Sequence, residues 1–181
     1  PTGYSHSIDF VKKLIIRFPN TVFLIDEAYV EFSGITAKSL VLKYENIIIT
    51  RTFSKAFGLA NFRIGFVLSS INNIKHISKI INSKNTTTFA QEAAIGVLSD
   101  IEYMKNFVNE VLEAKTFFVE SMNNYIQYFK IINGKGNFVI IKFFEINEKN
   151  EFYNFLNSKN IFTRNLTHHI ILKKCLRITI G

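Results

Sequence analysis

Apolar positions along the chain recur with two spacings, and these divide it into elements. After Ser7, the residues Ile8, Val11, Leu14, Ile15 and Phe18 fall at helical spacing, and Pro19-Asn20 stops the run. Thr21 to Ile25 is short and rich in β-formers, which predicts a strand ending at Asp26. Ser33-Gly34 opens a loop, and Ser39 to Tyr44 predicts a short helical turn. Two apolar runs, Asn46 to Thr50 and Ile64 to Leu68, predict buried strands with a polar stretch between them. Ile74, Ile77, Ile80 and Ile81 mark one face of a helix over Ile71 to Asn82. A hydroxyl-rich segment ending near Thr88 caps a further helix carrying Ala90, Ala93, Ala94, Val97 and Leu98. A longer stripe follows, from Ile101 through Met104, Val108, Val111, Leu112, Phe118 and Met122 to Tyr125, uninterrupted by Pro or Gly as far as Tyr128. It drifts off strict heptads, so it predicts one long surface helix with a core-facing stripe, not a coiled coil.

The texture changes after Phe129. Lys130 to Ile132 and Phe138 to Phe143 predict strands around an Asn133-Gly134-Lys135-Gly136-Asn137 turn. Glu148 to Lys159 predicts a helix, and Ile161 to Thr163 and Leu176 to Ile180 predict two more strands. The expected fold class is therefore α/β. A mostly parallel sheet with helices occupies residues 1–114, a long connecting helix follows, and residues 115–181 form a small α+β domain.

Composition narrows the setting. A hydrophobic content of 48% supports a globular core, and no apolar run reaches the roughly 18 residues that span a membrane. No basic start leads into an apolar stretch, as a secretion signal would. Cys175 is the only cysteine, which rules out an internal disulfide and points to a reducing cytoplasm. The formal net charge of +8 attracts anions, with nucleic acid one class of partner and phosphorylated small molecules another. A nucleic-acid-binding module would need a basic stripe interleaved with exposed aromatics, which the sequence lacks. The start at Pro1, without methionine, and the end at Gly181, directly after a strand-like run, read as a piece of something longer.

The polar stretch between the two buried strands, Thr50 to Gly65, holds the densest chemistry. It carries hydroxyls at Thr52 and Ser54, then Lys55, glycines at 58 and 65, and Arg63. A lysine whose pKa is lowered attacks carbonyls, and hydroxyls with an arginine hold a phosphate. That combination suits pyridoxal 5′-phosphate, bound covalently at one end and gripped by its phosphate at the other. Locally, Asp26 reads equally as a turn cap or as a catalytic carboxylate, Tyr29 as a core tyrosine, and Arg51 as facing solvent.

Ser54-Lys55-Ala56-Phe57-Gly58-Leu59-Ala60 with Arg63-Ile64-Gly65 resembles the cofactor-lysine signature of the class I/II, fold-type-I aminotransferases, and of their histidinol-phosphate aminotransferase branch in particular. Asp26-Glu27-Ala28-Tyr29-Val30-Glu31-Phe32, Pro1-Thr2-Gly3 and Leu176-Arg177-Ile178-Thr179-Ile180-Gly181 resemble three further motifs of that branch, in the same order. The resemblance implies that Lys55 binds the cofactor and then moves a proton between the substrate Cα and the cofactor C4′. It implies that Asp26 pairs with the pyridine nitrogen, that Tyr29 bonds the phenolic oxygen, and that Thr52, Ser54 and Arg63 hold the phosphate. It places Arg164 and Arg177 on the substrate's anionic groups; His168 and His169, in a loop-like stretch between them, read as solvated histidines. The implied reaction moves an amino group from a donor amino acid, glutamate, to a phosphorylated carbonyl compound, in a cytoplasmic homodimer of biosynthesis. Decarboxylation of a phosphorylated amino acid is the alternative within the same chemistry. Asn82 to Thr88 departs from the arginine- and proline-containing segment of the histidinol-phosphate enzymes, which leaves the substrate's non-phosphate part open.

Overall fold

The computed structural model describes residues 2–82 and 84–181. They form two compact units, Ser5–Val108 and Asn109–Gly181, and the residues up to Tyr4 cluster with the second. Each unit has its own sheet.

The first unit opens with α1 (Ile8–Arg17), whose first turn is capped by the Ser7 hydroxyl accepting the Phe10 N–H at 3.2 Å. Then come β1 (Phe23–Asp26), the short α2 (Val30–Ser33) and α3 (Lys38–Val41), β2 (Ile47–Thr52), β3 (Gly65–Ser69), α4 (Ile71–Ser78) and α5 (Thr88–Ser99). α6 (Ile101–Met122) is the expected long helix. Ile15 of α1 packs with Ala37, Leu40, Ile47 and Ile49 into a buried cluster. The Asn46 amide ties α1 to the sheet by donating to the carbonyls of Ile15, Phe18 and Thr21 at 3.1–3.2 Å.

The strand order is β1-β2-β3, parallel between β1 and β2 and antiparallel between β2 and β3. The sheet is thus mixed among the described residues. Parallel pairing of β2 with β3 would need a crossover of a dozen or more residues, usually through a helix. The connection over Phe53 to Ile64 instead turns back on itself, with the Phe53 N–H donating to the Ile64 carbonyl at 3.2 Å. The helix expected over Ile71 to Asn82 ends at Ser78.

In the second unit, β4 (Phe129–Ile132), β5 (Phe138–Phe143), β6 (Arg164–Asn165) and β7 (Cys175–Thr179) pair antiparallel in the order β4-β5-β7-β6. α7 (Ile146–Ser158) starts with a capping box between Glu145 and Glu148. Phe118 and Met122 of α6 and Phe152 and Tyr153 of α7 cover one face of the sheet, over Phe129, Ile141, Phe143 and Leu176. The strand expected at Ile161 to Thr163 lies instead at Arg164–Asn165.

Gly3 belongs to this unit because its backbone lies against the β4–β5 turn. Its carbonyl accepts the Lys135 N–H at 2.7 Å, and a Cβ at Gly3 would sit 2.8 Å from the Gly134 Cα. The buried Lys115 of α6 holds the same turn, its ammonium donating to the carbonyls of Gly134 and Gly136 at 2.5 and 2.7 Å.

Candidate active site

The connection between β2 and β3 is a folded-in loop, not a free excursion. Phe53 is buried, with its ring against those of Phe57 and Phe66. The Thr52 hydroxyl accepts the Ser54 N–H at 3.0 Å and donates to the Ile64 carbonyl at 3.4 Å, so it clips the two ends of the loop together. Gly58 (φ 70°) and Arg63 (φ 52°) both take left-handed backbone. For Arg63 this is a strained conformation, characteristic of functional turns. Gly65 admits no side chain, because a Cβ there would lie 2.5 Å from the Arg51 carbonyl oxygen.

This fold presents Lys55 half-buried, with Nζ 5.4 Å from the centre of the Tyr29 ring. Among the described residues, the Lys55 ammonium makes no hydrogen bond or ion pair, so the amine is not committed to such a partner. The half-buried Ser54 lies beside it, and its hydroxyl is likewise uncommitted among the described residues. Arg63 is exposed at the loop's far end and uses one guanidinium N–H, to the Ala60 carbonyl at 3.0 Å. A guanidinium has five such donors, so four remain.

Asp26 ends β1, directly across from Thr50 of β2. Its Oδ1 accepts the Ala28 N–H at 3.0 Å, which makes it a turn cap, while Oδ2 takes no bond among the described residues. Glu27 turns the other way and is buried. Its carboxylate accepts the Ala37 N–H at 2.6 Å, the Thr36 hydroxyl at 2.9 Å, and Arg51 Nε and Nη2 at 3.0 and 2.8 Å. Arg51 is therefore not the solvent-facing side chain that the sequence suggests. It is the counter-ion of a buried acid and pins the ends of β1 and β2, from which Asp26 and the lysine loop project. Nearby, burial pushes the Glu31 carboxyl above its ordinary value, partly offset by its backbone hydrogen bond and by Arg51. The Glu31 Oε2 is buried without a hydrogen-bond partner.

In the second unit, Arg164 and Arg177 are direct cross-strand partners. Like charges placed directly opposite each other on a sheet repel. Arg177 also has its guanidinium carbon 5.1 Å from the Phe138 ring centre and a buried Nε with no partner. Two arginines at facing positions of adjacent strands, one with a buried donor unused, form a place that an anion would stabilise.

Residues 1–181 match the family described as aminotransferase class I and II. The chain belongs to this family. Among curated proteins, it is 43% identical over 190 residues to a dihydroxyacetone phosphate transaminase of Campylobacter jejuni, covering all of this chain and 48% of that protein. It is 34% identical over 184 residues to a histidinol-phosphate aminotransferase of Clostridium botulinum, covering 51% of that protein. The chain thus spans about half the length of the curated relatives it matches. A solved histidinol-phosphate aminotransferase from Sinorhizobium meliloti, in complex with pyridoxal-5′-phosphate, superposes with a TM-score of 0.88 at 24% identity, over 99% of this chain and 50% of that one. An L-threonine-O-3-phosphate decarboxylase from Porphyromonas gingivalis superposes at 0.85 with 19% identity, over all of this chain and 56% of that one. Both structural likenesses establish the aminotransferase fold.

The structure brings Lys55 next to Tyr29, and sets Ser54 and Arg63 on the loop that carries Lys55, with Thr52 at the strand end that opens it. It joins Arg164 to Arg177 within the second unit. The Glu27–Arg51 pair and the buried Lys149 of α7 escaped the sequence reading. A charged residue inside an apolar strand is a weak sequence signal for the first, and nothing in the helical pattern signals the second.

Proposed function

We propose that the protein containing this chain is a pyridoxal-phosphate transaminase. In this reading it moves the amino group of an amino acid, glutamate, to a phosphorylated carbonyl compound, in two half-reactions, as a dimer. The observation that carries the substrate class is the Arg164–Arg177 apposition, which becomes favourable when an anion sits on it. Family membership supports the reaction type.

The residues of the first unit fit the cofactor. An uncommitted half-buried lysine, a tyrosine beside it, an open carboxylate oxygen at a strand end and a hydroxyl-bearing loop with a nearby arginine are the required donor set. Lys55 would hold the aldehyde carbon, Asp26 Oδ2 the ring nitrogen, Tyr29 the phenolic oxygen, and Ser54, Thr52 and Arg63 the phosphate. When bound, the group supplies an electron sink for the bonds at the substrate Cα.

The chain's own side chains supply the rest. Lys55 takes the proton from the substrate Cα and returns it, as a general acid–base. Asp26 keeps a proton on the ring nitrogen, because a carboxylate there favours the charged form. Arg177 and Arg164 fork onto the carboxylate of the donor or the phosphate of the acceptor. Glutamate and the phosphorylated ketone or aldehyde thus become 2-oxoglutarate and a phosphorylated amine.

The test supplies L-glutamate and dihydroxyacetone phosphate to the purified holoenzyme and follows 2-oxoglutarate. Turnover, competitively inhibited by inorganic phosphate, is the expected result. Carbon dioxide from O-phospho-L-threonine without 2-oxoglutarate from any phosphorylated carbonyl compound would make the protein a decarboxylase instead.

A further inference from the structure

β6 is only two residues long, and its side chains part to opposite faces of the sheet. Asn165 stands across from Leu176, and Arg164 across from Arg177. Leu176 belongs to the apolar cluster beneath α6 and α7, so Asn165 lies on the helix side and Arg164 on the other. On the helix side, the Lys149 ammonium of α7 donates to Asn165 Oδ1 at 3.1 Å and to Thr167 Oγ1 at 2.7 Å. The Thr167 N–H donates to the same Asn165 oxygen at 3.1 Å, which closes the turn after the strand.

Lys149 is fully buried and makes no ion pair among the described residues. A buried ammonium with neutral partners only is costly, and burial pushes its pKa below the ordinary lysine value. A hydrophobic side chain would fill the same place at less cost, so the charge needs another reason. The best-attested use of a buried polar group is to fix a register. β6 needs such a device. Two residues of ladder specify pairing weakly, and a slip by one would turn Arg164 towards the apolar cluster and Asn165 towards Arg177.

We propose that Lys149 is the positioning residue for Arg164: its bonds to Asn165 and Thr167 hold β6 in register and thereby set the affinity for the phosphate of the substrate. This rests on the reading of Arg164 as a substrate group. Lys149 itself touches neither substrate nor cofactor in this scheme, and its effect passes through one short strand.

The experiment measures the dissociation constant of inorganic phosphate for the holoenzyme by ³¹P line broadening, with the cofactor's own phosphate site filled. Lys149→Met is expected to weaken phosphate roughly five- to tenfold while the visible spectrum of the bound cofactor stays unchanged. Thr167→Val, which removes one of the two acceptors, is expected to give a smaller loss in the same direction. Arg164→Gln should weaken phosphate by itself, and adding Lys149→Met to it should change nothing further, because the two act in series. Unaltered phosphate affinity in folded Lys149→Met, or in Thr167→Val if the first variant does not fold, overturns the inference. Additive losses in the double variant overturn it as well. If Arg164→Gln alone leaves phosphate binding intact, the substrate reading fails first, and the two failures are told apart.

Discussion

Arg51→Met tests whether the base of the lysine loop is held by a buried ion pair. Removing the guanidinium takes away two hydrogen bonds to Glu27, at 3.0 and 2.8 Å, and one to Thr36 at 2.8 Å. Glu27, with its side chain 5% exposed, keeps the Ala37 N–H and the Thr36 hydroxyl and loses its only counter-ion among the described residues. Breaking a buried pair by deleting one partner costs about 3–5 kcal/mol. Arg51 is 18% exposed, so some water reaches the gap and the lower end, about 3 kcal/mol, is the better figure. That corresponds to a factor of roughly 100 in a local opening equilibrium. Native-state hydrogen exchange reads it directly at the Ala37 amide, bonded to the carboxylate, and at the Glu27 amide, bonded to the Thr50 carbonyl. Both should exchange about a hundredfold faster, while amides of β5 in the other unit are unaffected. Protection at both amides equal to that of the parent protein would show that the pair does not hold the base of the loop.

Three other outcomes follow from the same geometry. Gly65→Ala places a Cβ against the Arg51 carbonyl and must part β2 from β3 where the loop is clipped; a loss of about 1–3 kcal/mol and faster cofactor loss on dialysis are expected, and an unchanged melting temperature would contradict the close approach. Asp26→Asn keeps an oxygen for the Ala28 N–H but loses the charge, so stability should hold while turnover falls by orders of magnitude; a kinetically silent variant would leave Asp26 only a cap. For Glu31 the sign is set by its raised carboxyl pKa: the group favours the fold below its unfolded value, near 4.5, and that contribution is lost as pH rises through the folded value. Glu31→Gln should therefore raise the melting temperature at pH 7 and leave it nearly unchanged at pH 4, and a variant less stable than the parent at pH 7 would show that the carboxylate has a partner that stabilises it.

Much of this architecture is legible in the residues because local pattern and tertiary context agree. Asn46 to Thr50 and Ile64 to Leu68 are apolar and β-branched, and they became β2 and β3 with small shifts at their ends. The uninterrupted stripe from Ile101 became α6. Disagreement arises where pairing partners decide. Ile161 to Thr163 has the stronger β-propensity, yet Arg164 and Asn165 form the strand, because β7 offers partners to those residues and α7 offers a cation to Asn165. The direction of β3 depends on how the lysine loop folds back, which periodicity does not encode. Lys115 and Lys149 look like solvated helix lysines, since a lone charge in a helical pattern carries no sign of the acceptors that a distant turn supplies. The motifs around Lys55, Asp26 and Arg177 stood out for the opposite reason: each puts polar chemistry at the end of, or inside, an apolar strand.

The most direct check is the position of the covalent cofactor bond. The purified holoenzyme is reduced with borohydride, digested, and its pyridoxyl-bearing peptide is sequenced by mass spectrometry. A single modified residue is expected, Lys55, within Thr52-Phe53-Ser54-Lys55-Ala56-Phe57-Gly58. A pyridoxyl group on any other lysine, or none on a protein that still transfers amino groups, would contradict that expectation.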